Sequence, residues 1–224
     1  MKFIKLFILF VLVSSFAAFA QKDAAAKAIL GPLSQKYRSY KAIKTDFTFT
    51  LDNPAQNMKA SQNGTLTVEP KTNKYHIALF AQGSNKDIEQ EIISDGKSQW
   101  SYNRGEKEVQ LTNAEHNSTS FNPAQLFTMY EHGYKYLYTG EVKQGGKIYQ
   151  QVDLSPEDDK SNFFKIRLSI DKAKKIIYSV LVFDKNGSRY NYLLKDFMPN
   201  PPVTADTFSW DAKTHAGIEV VDLR

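Results

Sequence analysis

The chain has 224 residues, which suits one domain or two small ones. Hydrophobic residues make up 42% of it and charged residues 24%, an ordinary globular composition. The formal charge is +5, and setting aside Lys2 and Lys5 leaves too little positive charge for the dense basic stripe of a nucleic-acid-binding protein. Cysteine is absent, which excludes disulfides, thiolate metal sites, a cysteine nucleophile and a lipid-modified N-terminal cysteine.

The first twenty residues have the pattern of a secretory signal peptide. Two lysines precede an apolar run over residues 6–13, and small residues follow up to Ala20. The apolar run is too short for a comfortable membrane span, and no later segment is apolar enough to cross a bilayer. We therefore expect cleavage after Ala20 and a single periplasmic domain over residues 21–224, with an uncleaved membrane anchor as the alternative.

Residues 23–40 have the pattern of an amphipathic helix. Apolar side chains recur at helical spacing, at Ile29, Leu33, Tyr37 and Tyr40. Asp23 is the candidate N-cap residue. Pro32 lacks a backbone donor and clashes with the preceding turn, so we expect a kink or a break there. One face of this helix is predicted to cover another element.

Residues 43–80 alternate apolar and polar side chains with period two, which is typical of a sheet with one apolar and one polar face. The apolar positions are Ile43, Phe47, Phe49, Leu51, Leu66, Val68, Tyr75, Ile77 and Leu79. Asp95-Gly96 follows as a hairpin turn, because glycine accepts the positive φ of a tight turn. Trp100 and Tyr102 come next at period two, and they point either into an ordinary core or toward a ligand.

The rest of the chain adds one predicted helix and more strands. Residues 122–131 favour a helix that carries Leu126, Phe127 and Tyr130 on its apolar stripe. Short turns separate the later strands, and Asn186-Gly187 is a candidate type I′ hairpin turn. We count about ten strands and predict a mainly β (α+β) fold. The expected architecture is one long antiparallel meander, curled into an incomplete antiparallel β-barrel or strongly curved sheet, with an α-helical lid over an apolar cavity.

Patterns that indicate catalysis or metal binding are absent from the sequence. The four histidines, His76, His116, His132 and His215, share no metal-ligand spacing, and no H-E-x-x-H, G-x-S-x-G or glycine-rich phosphate loop occurs. The 15 Phe, 12 Tyr and 2 Trp residues are the remaining signal. Because concave ligand pockets are lined mainly by apolar and aromatic side chains, the residues predict a secreted β-sheet protein that binds something apolar, with no enzyme activity, metal or cofactor.

Several motifs occur in order along nearly the whole mature chain. They include the hairpin ISDGKSQWSYN, the helix-to-strand stretch YRSYKAIKTDFTFTL, the segment NPAQLFTMY and the closing FSW and GIEVVD segments. The hairpin resembles the SDGKxxWxY hairpin of the periplasmic lipoprotein carriers, the LolA family, and the other motifs are similar to the family's first helix and strand, lid helix and C-terminal elements. The resemblance implies an incomplete antiparallel β-barrel with helices as a lid over an apolar cavity.

This resemblance also implies a function. The family takes acylated lipoproteins from an inner-membrane ABC transporter, shields their acyl chains and delivers them to an outer-membrane acceptor. We expect a monomer with no nucleic-acid partner. Alternation and resemblance together assign ten sheet residues to the acyl cavity and two residues to the lid: Phe47, Phe49, Leu51, Leu66, Val68, Tyr75, Ile77, Leu79, Trp100 and Tyr102, then Phe127 and Tyr130.

One departure from the family pattern concerns the lid. Family members carry an Arg-Pro step after the second strand, and that arginine helps to hold the lid, whereas this chain has Glu69-Pro70-Lys71. Lysine is a poor substitute where planar bidentate bonding is needed, so no residue that holds the lid is assigned from the sequence.

Three other functions remain open on the sequence. A related half-barrel would sense mislocalised lipoproteins or bind another lipid, such as a glycolipid or polyketide. A secreted hydrolase would lose a measurable turnover on substitution of a histidine or of Asp95. A structural or adhesive domain would have no apolar cavity and would take up no apolar dye.

Overall fold

Twelve strands form one open, curved sheet in the computed structural model of the chain, which describes residues 17–114, 122, 125–211 and 215–224. The strands are β1 (Ile43–Asn53), β2 (Met58–Glu69), β3 (Lys74–Phe80), β4 (Ile88–Asp95), β5 (Ser98–Asn103), β6 (Glu108–Asn113), β7 (Tyr134–Gln144), β8 (Lys147–Pro156), β9 (Phe163–Asp171), β10 (Ile176–Asp184), β11 (Arg189–Pro199) and β12 (Glu219–Asp222). The mainly β fold and the incomplete barrel are confirmed.

The strand order is not that of a single meander. Across the sheet it reads β12-β6-β5-β4-β3-β2-β1-β11-β10-β9-β8-β7. Two antiparallel meanders, β1–β6 and β7–β11, are joined where β1 pairs with β11, and β12 returns to lie parallel to β6. The prediction of one meander was therefore wrong, because period-two alternation describes each strand and does not specify pairing between distant strands.

The long helix α1 spans Ala17–Ser39 and lies against the sheet. It begins before Asp23, so the prediction of Asp23 as its N-cap was wrong. The helix also continues through Pro32 without the predicted break. Its buried residues lie on both sides of the proline, so their contacts hold the helix across the missing hydrogen bond; they are Ala26, Leu30, Leu33 and Tyr37.

The second predicted helix does not form in the part of 122–131 that the structure describes. Residues 125–128 form turns, and Met129–Glu131 is a single 3-10 turn. Residues 123–124 lie outside the described residues. Leu126, Phe127, Met129 and Tyr130 of this stretch are buried in the core, and that burial decides the conformation of residues 125–131 more than helix propensity does.

The two predicted hairpin turns occur, with glycine at positive φ in each. Gly96 has a φ of +90° between β4 and β5, and Asp95 Oδ1 accepts hydrogen bonds from the backbone N–H groups of Lys97 and Ser98. Gly187 has a φ of +88° between β10 and β11, but Asn186 does not have a positive φ. The type I′ assignment for that turn was wrong, since type I′ needs a positive φ at both central residues.

Candidate functional site

The strand register defines two faces of the sheet. Phe47 lies opposite Gly64 on β2 and opposite Leu194 on β11. Leu66 pairs with Ile77, and the same alternation continues through the other strands. We call the face that carries Phe47 and Leu66 the inner face, and the opposite one the outer face. Most side chains of the main core come from the inner face, and both meanders contribute to them.

The helix α1 and the segment 125–131, which we call the lid segment, cover the inner face. The buried side chains of the lid segment are Leu126, Phe127, Met129 and Tyr130, and all four belong to the main core. The Tyr37 ring of α1 meets the Phe127 ring edge-on, with centroids 4.8 Å apart. Helix and lid segment are therefore packed on each other as well as on the sheet.

One strip of the inner face is only half-buried. It consists of Phe49, Leu51, Leu79, Tyr190 and Tyr192. Phe49 stacks on Tyr190 at an interplanar angle of 11° and meets Tyr192 with ring centroids 5.2 Å apart. Burial raises the pKa of Tyr192 above its ordinary value, so the strip is an apolar environment even where it is not fully covered. An apolar ligand would gain burial by contacting it.

The Phe47 ring packs closely over β2 because the residue paired with it there is Gly64. A Cβ on Gly64 would lie 2.7 Å from Phe47 Cζ and 2.6 Å from the carbonyl oxygen of Ala78, so any larger residue would displace the ring or the backbone. Sequence reasoning missed Gly64. Its position in the alternating run GTLTV was visible, but the residue opposite it was not.

Two buried tyrosines, Tyr37 of α1 and Tyr130 of the lid segment, differ in their hydrogen bonds. The Tyr37 hydroxyl accepts a hydrogen bond from the backbone N–H of Ile177, 2.7 Å away. The Tyr130 hydroxyl is buried and has no hydrogen-bond partner among the described residues. Burial raises the pKa of both groups above the ordinary value, so both hydroxyls keep their proton.

An ion pair joins α1 to the lid segment. Arg38 Nε donates to Glu131 Oε1 at 2.8 Å, and a second Arg38 nitrogen contacts Glu131 Oε2. The Ser34 hydroxyl donates to the same carboxylate. The Arg38 hydrogen bond has the largest effect on the pKa of Glu131, and burial opposes it. With the added effect of the Ser34 hydrogen bond, that pKa stays below its ordinary value. Glu69, at the departure from the family pattern, instead accepts from Thr72 within a local turn.

Eight of the ten predicted cavity residues share the inner face. They are Phe47, Phe49, Leu51, Leu66, Val68, Tyr75, Ile77 and Leu79. The predicted lid residues Phe127 and Tyr130 are buried against them in the main core. The inner face also brings in residues of the second meander that the sequence prediction missed, among them Tyr190 and Tyr192, because only the pairing of β1 with β11 places them beside Phe49.

Trp100 and Tyr102 lie on the outer face. Trp100 pairs with Ile93 and Tyr102 with Glu91, one register step away from the inner positions Ile92 and Ser94. The prediction that these two aromatics face the same side as the other eight was wrong. A hairpin turn fixes the register of its own two strands. Which face a β5 residue joins relative to β1 depends on the registers of all four pairings from β1 to β5, and the sequence does not specify them.

The C-terminal segment, residues 205–211 and 215–222, covers the outer face at Tyr102. Tyr102 packs on Trp210, with ring centroids 5.4 Å apart, and Trp210 stacks on His215 at 3.8 Å. Phe208 is buried in the same segment, which packs on β3 and β4. These contacts give Tyr102 an ordinary packing role.

A buried carboxylate lies between two histidines on this outer face. His76 Nε2 is 2.5 Å from Glu91 Oε1, and His215 Nε2 is 3.2 Å from Glu91 Oε2. Burial by itself would raise the pKa of Glu91, but the hydrogen bond and charge of His76, with those of His215, outweigh it and lower that pKa. No group of three or more His, Cys, Asp and Glu with metal-binding geometry occurs among the described residues.

A separate cleft of about 570 Å³ lies between the end of α1 and strands β10 and β11. Its walls include Lys36, Lys174 and Lys195, and the Lys36 ammonium donates to the carbonyl oxygens of Lys174 and Lys175. Apolar side chains such as Ile176 and Phe197 line the rest of the cleft, so its surface is mixed and not purely apolar. In the described part of the chain, no helix is both long and apolar enough to cross a membrane.

Comparisons with known proteins agree with this architecture. The family model "Outer membrane lipoprotein carrier protein LolA" matches residues 38–211. An outer-membrane lipoprotein carrier protein of Legionella pneumophila (strain Corby) is 23% identical over 218 residues, which cover 97% of this chain and 98% of that protein.

Two solved structures show the same fold at low identity. An uncharacterized conserved protein from Thermus thermophilus matches with a TM-score of 0.54 and 14% identity, over 88% of this chain and 99% of that one. A DUF1329 family protein from Desulfovibrio piger matches with a TM-score of 0.50 and 10% identity, over 84% and 97%. Because the family model spans most of the chain, this protein belongs to the LolA family of outer membrane lipoprotein carrier proteins.

Proposed function

We propose that this protein is a periplasmic carrier that binds the acyl chains of lipoproteins on the inner face of its sheet and moves them from the inner to the outer membrane. Residues 21–224 would be the mature carrier after cleavage at Ala20. The observation that carries the proposal is the half-buried aromatic strip, Phe49 with Tyr190 and Tyr192, beside a core of aliphatic and aromatic side chains. Family membership and the Legionella relative support it.

The energetics of acyl chains explain why such a site is needed. Each methylene removed from water contributes about 0.8 kcal/mol, so a free multiply acylated lipoprotein would stay in the nearest membrane. A carrier must offer comparable burial and still release its cargo. The inner face can do so if the lid segment moves, because the main core contacts of Leu126, Phe127 and Met129 would exchange for contacts between the lid and the acyl chains.

In this proposal the protein acts by binding and performs no chemistry. An inner-membrane ABC transporter supplies the cargo and its energy, and an outer-membrane acceptor receives it. The ion pair between Arg38 and Glu131 is the contact that opening of the lid segment would break first, since it is the most exposed link between that segment and α1.

The first experiment uses the mature protein and an environment-sensitive apolar dye. The bound dye is titrated with a triacylated cysteine lipopeptide and, separately, with the same peptide after deacylation. We expect displacement by the acylated peptide alone. Equal displacement by both peptides, or no dye uptake, would contradict the proposal. Transfer of the bound lipopeptide to acceptor vesicles then separates a carrier from a sensor that keeps its ligand.

A matched pair of variants locates the site. Leu79 is half-buried on the inner face, whereas Leu137 is 40% exposed and alternates with the inner-facing tyrosines of β7. Leu79→Asp should weaken lipopeptide binding at least roughly tenfold, because a carboxylate would lose water against an acyl chain. Leu137→Asp should bind normally. If Leu79→Asp does not unfold cooperatively, Leu79→Asn replaces it. Equal lipopeptide binding by the Leu79 and Leu137 variants would show that the ligand binds elsewhere.

A further inference from the structure

The Tyr130 hydroxyl is a buried hydrogen-bond donor without an acceptor. The residue is 4% exposed and belongs to the main core, and its Oη atom has no partner among the described residues. Buried polar groups in folded proteins are nearly always paired, since an unpaired one loses its hydrogen bonds to water without replacement. Phenylalanine would fill the same volume without this cost, so the hydroxyl is free to bond a group that the described residues do not supply.

The polar side chains that act electrostatically on Tyr130 make their hydrogen bonds with other groups. The Glu131 carboxylate, on the next residue, accepts from Arg38 and Ser34. The Tyr37 hydroxyl is paired with the backbone N–H of Ile177. Burial raises the pKa of Tyr130 above its ordinary value, so its hydroxyl remains a donor at any physiological pH. What Tyr130 lacks is an acceptor in apolar surroundings.

A hydrocarbon chain has no acceptor, but an acyl ester has one at the base of each chain. We propose that Tyr130 Oη donates a hydrogen bond to an ester carbonyl oxygen of the bound acylglyceryl group, and that this bond makes the site prefer ester-linked chains to plain alkyl chains of equal length. This inference rests on the proposed function, and it adds a residue that recognises the polar base of the cargo's chains.

The test compares two ligands that differ only in the carbonyl groups. One is a diacylglyceryl cysteine peptide with two palmitoyl esters, and the other is its counterpart with two hexadecyl ethers. Dye displacement by wild-type protein should favour the ester by roughly 2- to 10-fold, the factor that one hydrogen bond of ordinary net strength supplies. Tyr130→Phe should bring that ratio close to one.

Tyr178→Phe is the matched control, because it removes the hydroxyl of a half-buried tyrosine that stacks on Tyr149, outside the main core and the half-buried strip. It should keep the wild-type preference for the ester. An unchanged ratio in Tyr130→Phe would overturn the inference, whereas failure of both ligands to displace the dye would instead refute the proposed function.

Unfolding of the empty protein in urea gives a second, independent readout. Tyr37→Phe should lower the midpoint, because it leaves the Ile177 N–H without its partner. Tyr130→Phe should leave the midpoint unchanged or raise it. A decrease as large as that of Tyr37→Phe would show that the hydroxyl already has a partner in the empty protein, which would overturn the inference.

Discussion

The inner face and the outer face of the sheet are covered in different ways. On the inner face, the buried contacts of α1 and the lid segment with the sheet are almost entirely apolar, apart from the Tyr37 hydroxyl, and an aromatic strip remains half-buried. On the outer face, the C-terminal segment is held by stacked rings and by the contact of His215 with the buried Glu91. Both coverings bury aromatic residues of the family motifs.

The difference shows how a protein can separate a fixed surface from an exchangeable one. Apolar contacts are non-directional, so one apolar partner can replace another at little cost. Buried charged and hydrogen-bonded groups demand a specific geometry, and losing one partner leaves the other unsatisfied. We therefore expect the inner face to determine ligand binding and the outer face to determine stability.

The largest expected effects come from one aromatic substitution on each face. Trp100→Ala on the outer face should lower the free energy of unfolding by about 2–3 kcal/mol, somewhat less than for a fully buried site, and leave lipopeptide affinity unchanged. Phe49→Ala on the inner face should cost less stability, because Phe49 is half-buried, and should weaken lipopeptide binding. Urea unfolding and dye displacement measure the two quantities. Loss of affinity in Trp100→Ala, with the fold intact, would contradict the division between the faces.

The floor of the inner face should not tolerate a methyl group at Gly64. Gly64→Ala would press on the Ala78 carbonyl oxygen and on Phe47, so we expect a loss of about 1–3 kcal/mol in the free energy of unfolding. Gly105→Ala is the control, because its Cβ would meet only Asn103 Oδ1 at 3.5 Å, and it should change stability by less than about 0.5 kcal/mol. Similar losses in both variants would argue against close packing at Gly64.

The buried carboxylate of the outer face should make stability depend on pH. The pKa of Glu91 is lowered in the folded protein, so its carboxylate contributes stability above the pKa of an unfolded glutamate, about 4.3, and this contribution is lost as the pH falls through the lower, folded pKa. Glu91→Gln removes it. The difference in unfolding free energy between wild type and variant should therefore be largest near neutral pH and shrink in acid. A difference that stays constant down to about pH 3 would contradict the assignment.

The smallest expected effect concerns the link between α1 and the lid segment. The Arg38 side chain is 55% exposed, so its pair with Glu131 should contribute little to the free energy of unfolding and should weaken with added salt. A double-mutant cycle of Arg38→Gln and Glu131→Gln, measured by urea unfolding at low and high salt, isolates that coupling. If added salt leaves the coupling energy unchanged, the prediction of an exposed, screened ion pair is wrong.

Local features of the chain were predictable from the sequence. The alternation of KYHIALF predicted β3 with the bounds observed, and the glycine of Asp95-Gly96 predicted the turn that follows β4. The helical spacing of Leu33 and Tyr37 predicted their burial. Family membership also followed from the motifs. These features depend on residues a few positions apart, whose mutual geometry the backbone dictates.

Other features required the tertiary structure. The pairing of β1 with β11 brings Tyr190 and Tyr192 beside Phe49, and the parity of successive strand pairings moves Trp100 and Tyr102 to the outer face. His215 meets His76 and Glu91 of the paired strands β3 and β4 only because the distant C-terminal segment packs on them. The sequence by itself determined which residues are apolar and how each strand alternates. Only the tertiary structure decided which face each one joins, because that choice depends on non-local pairing, which local propensity does not specify.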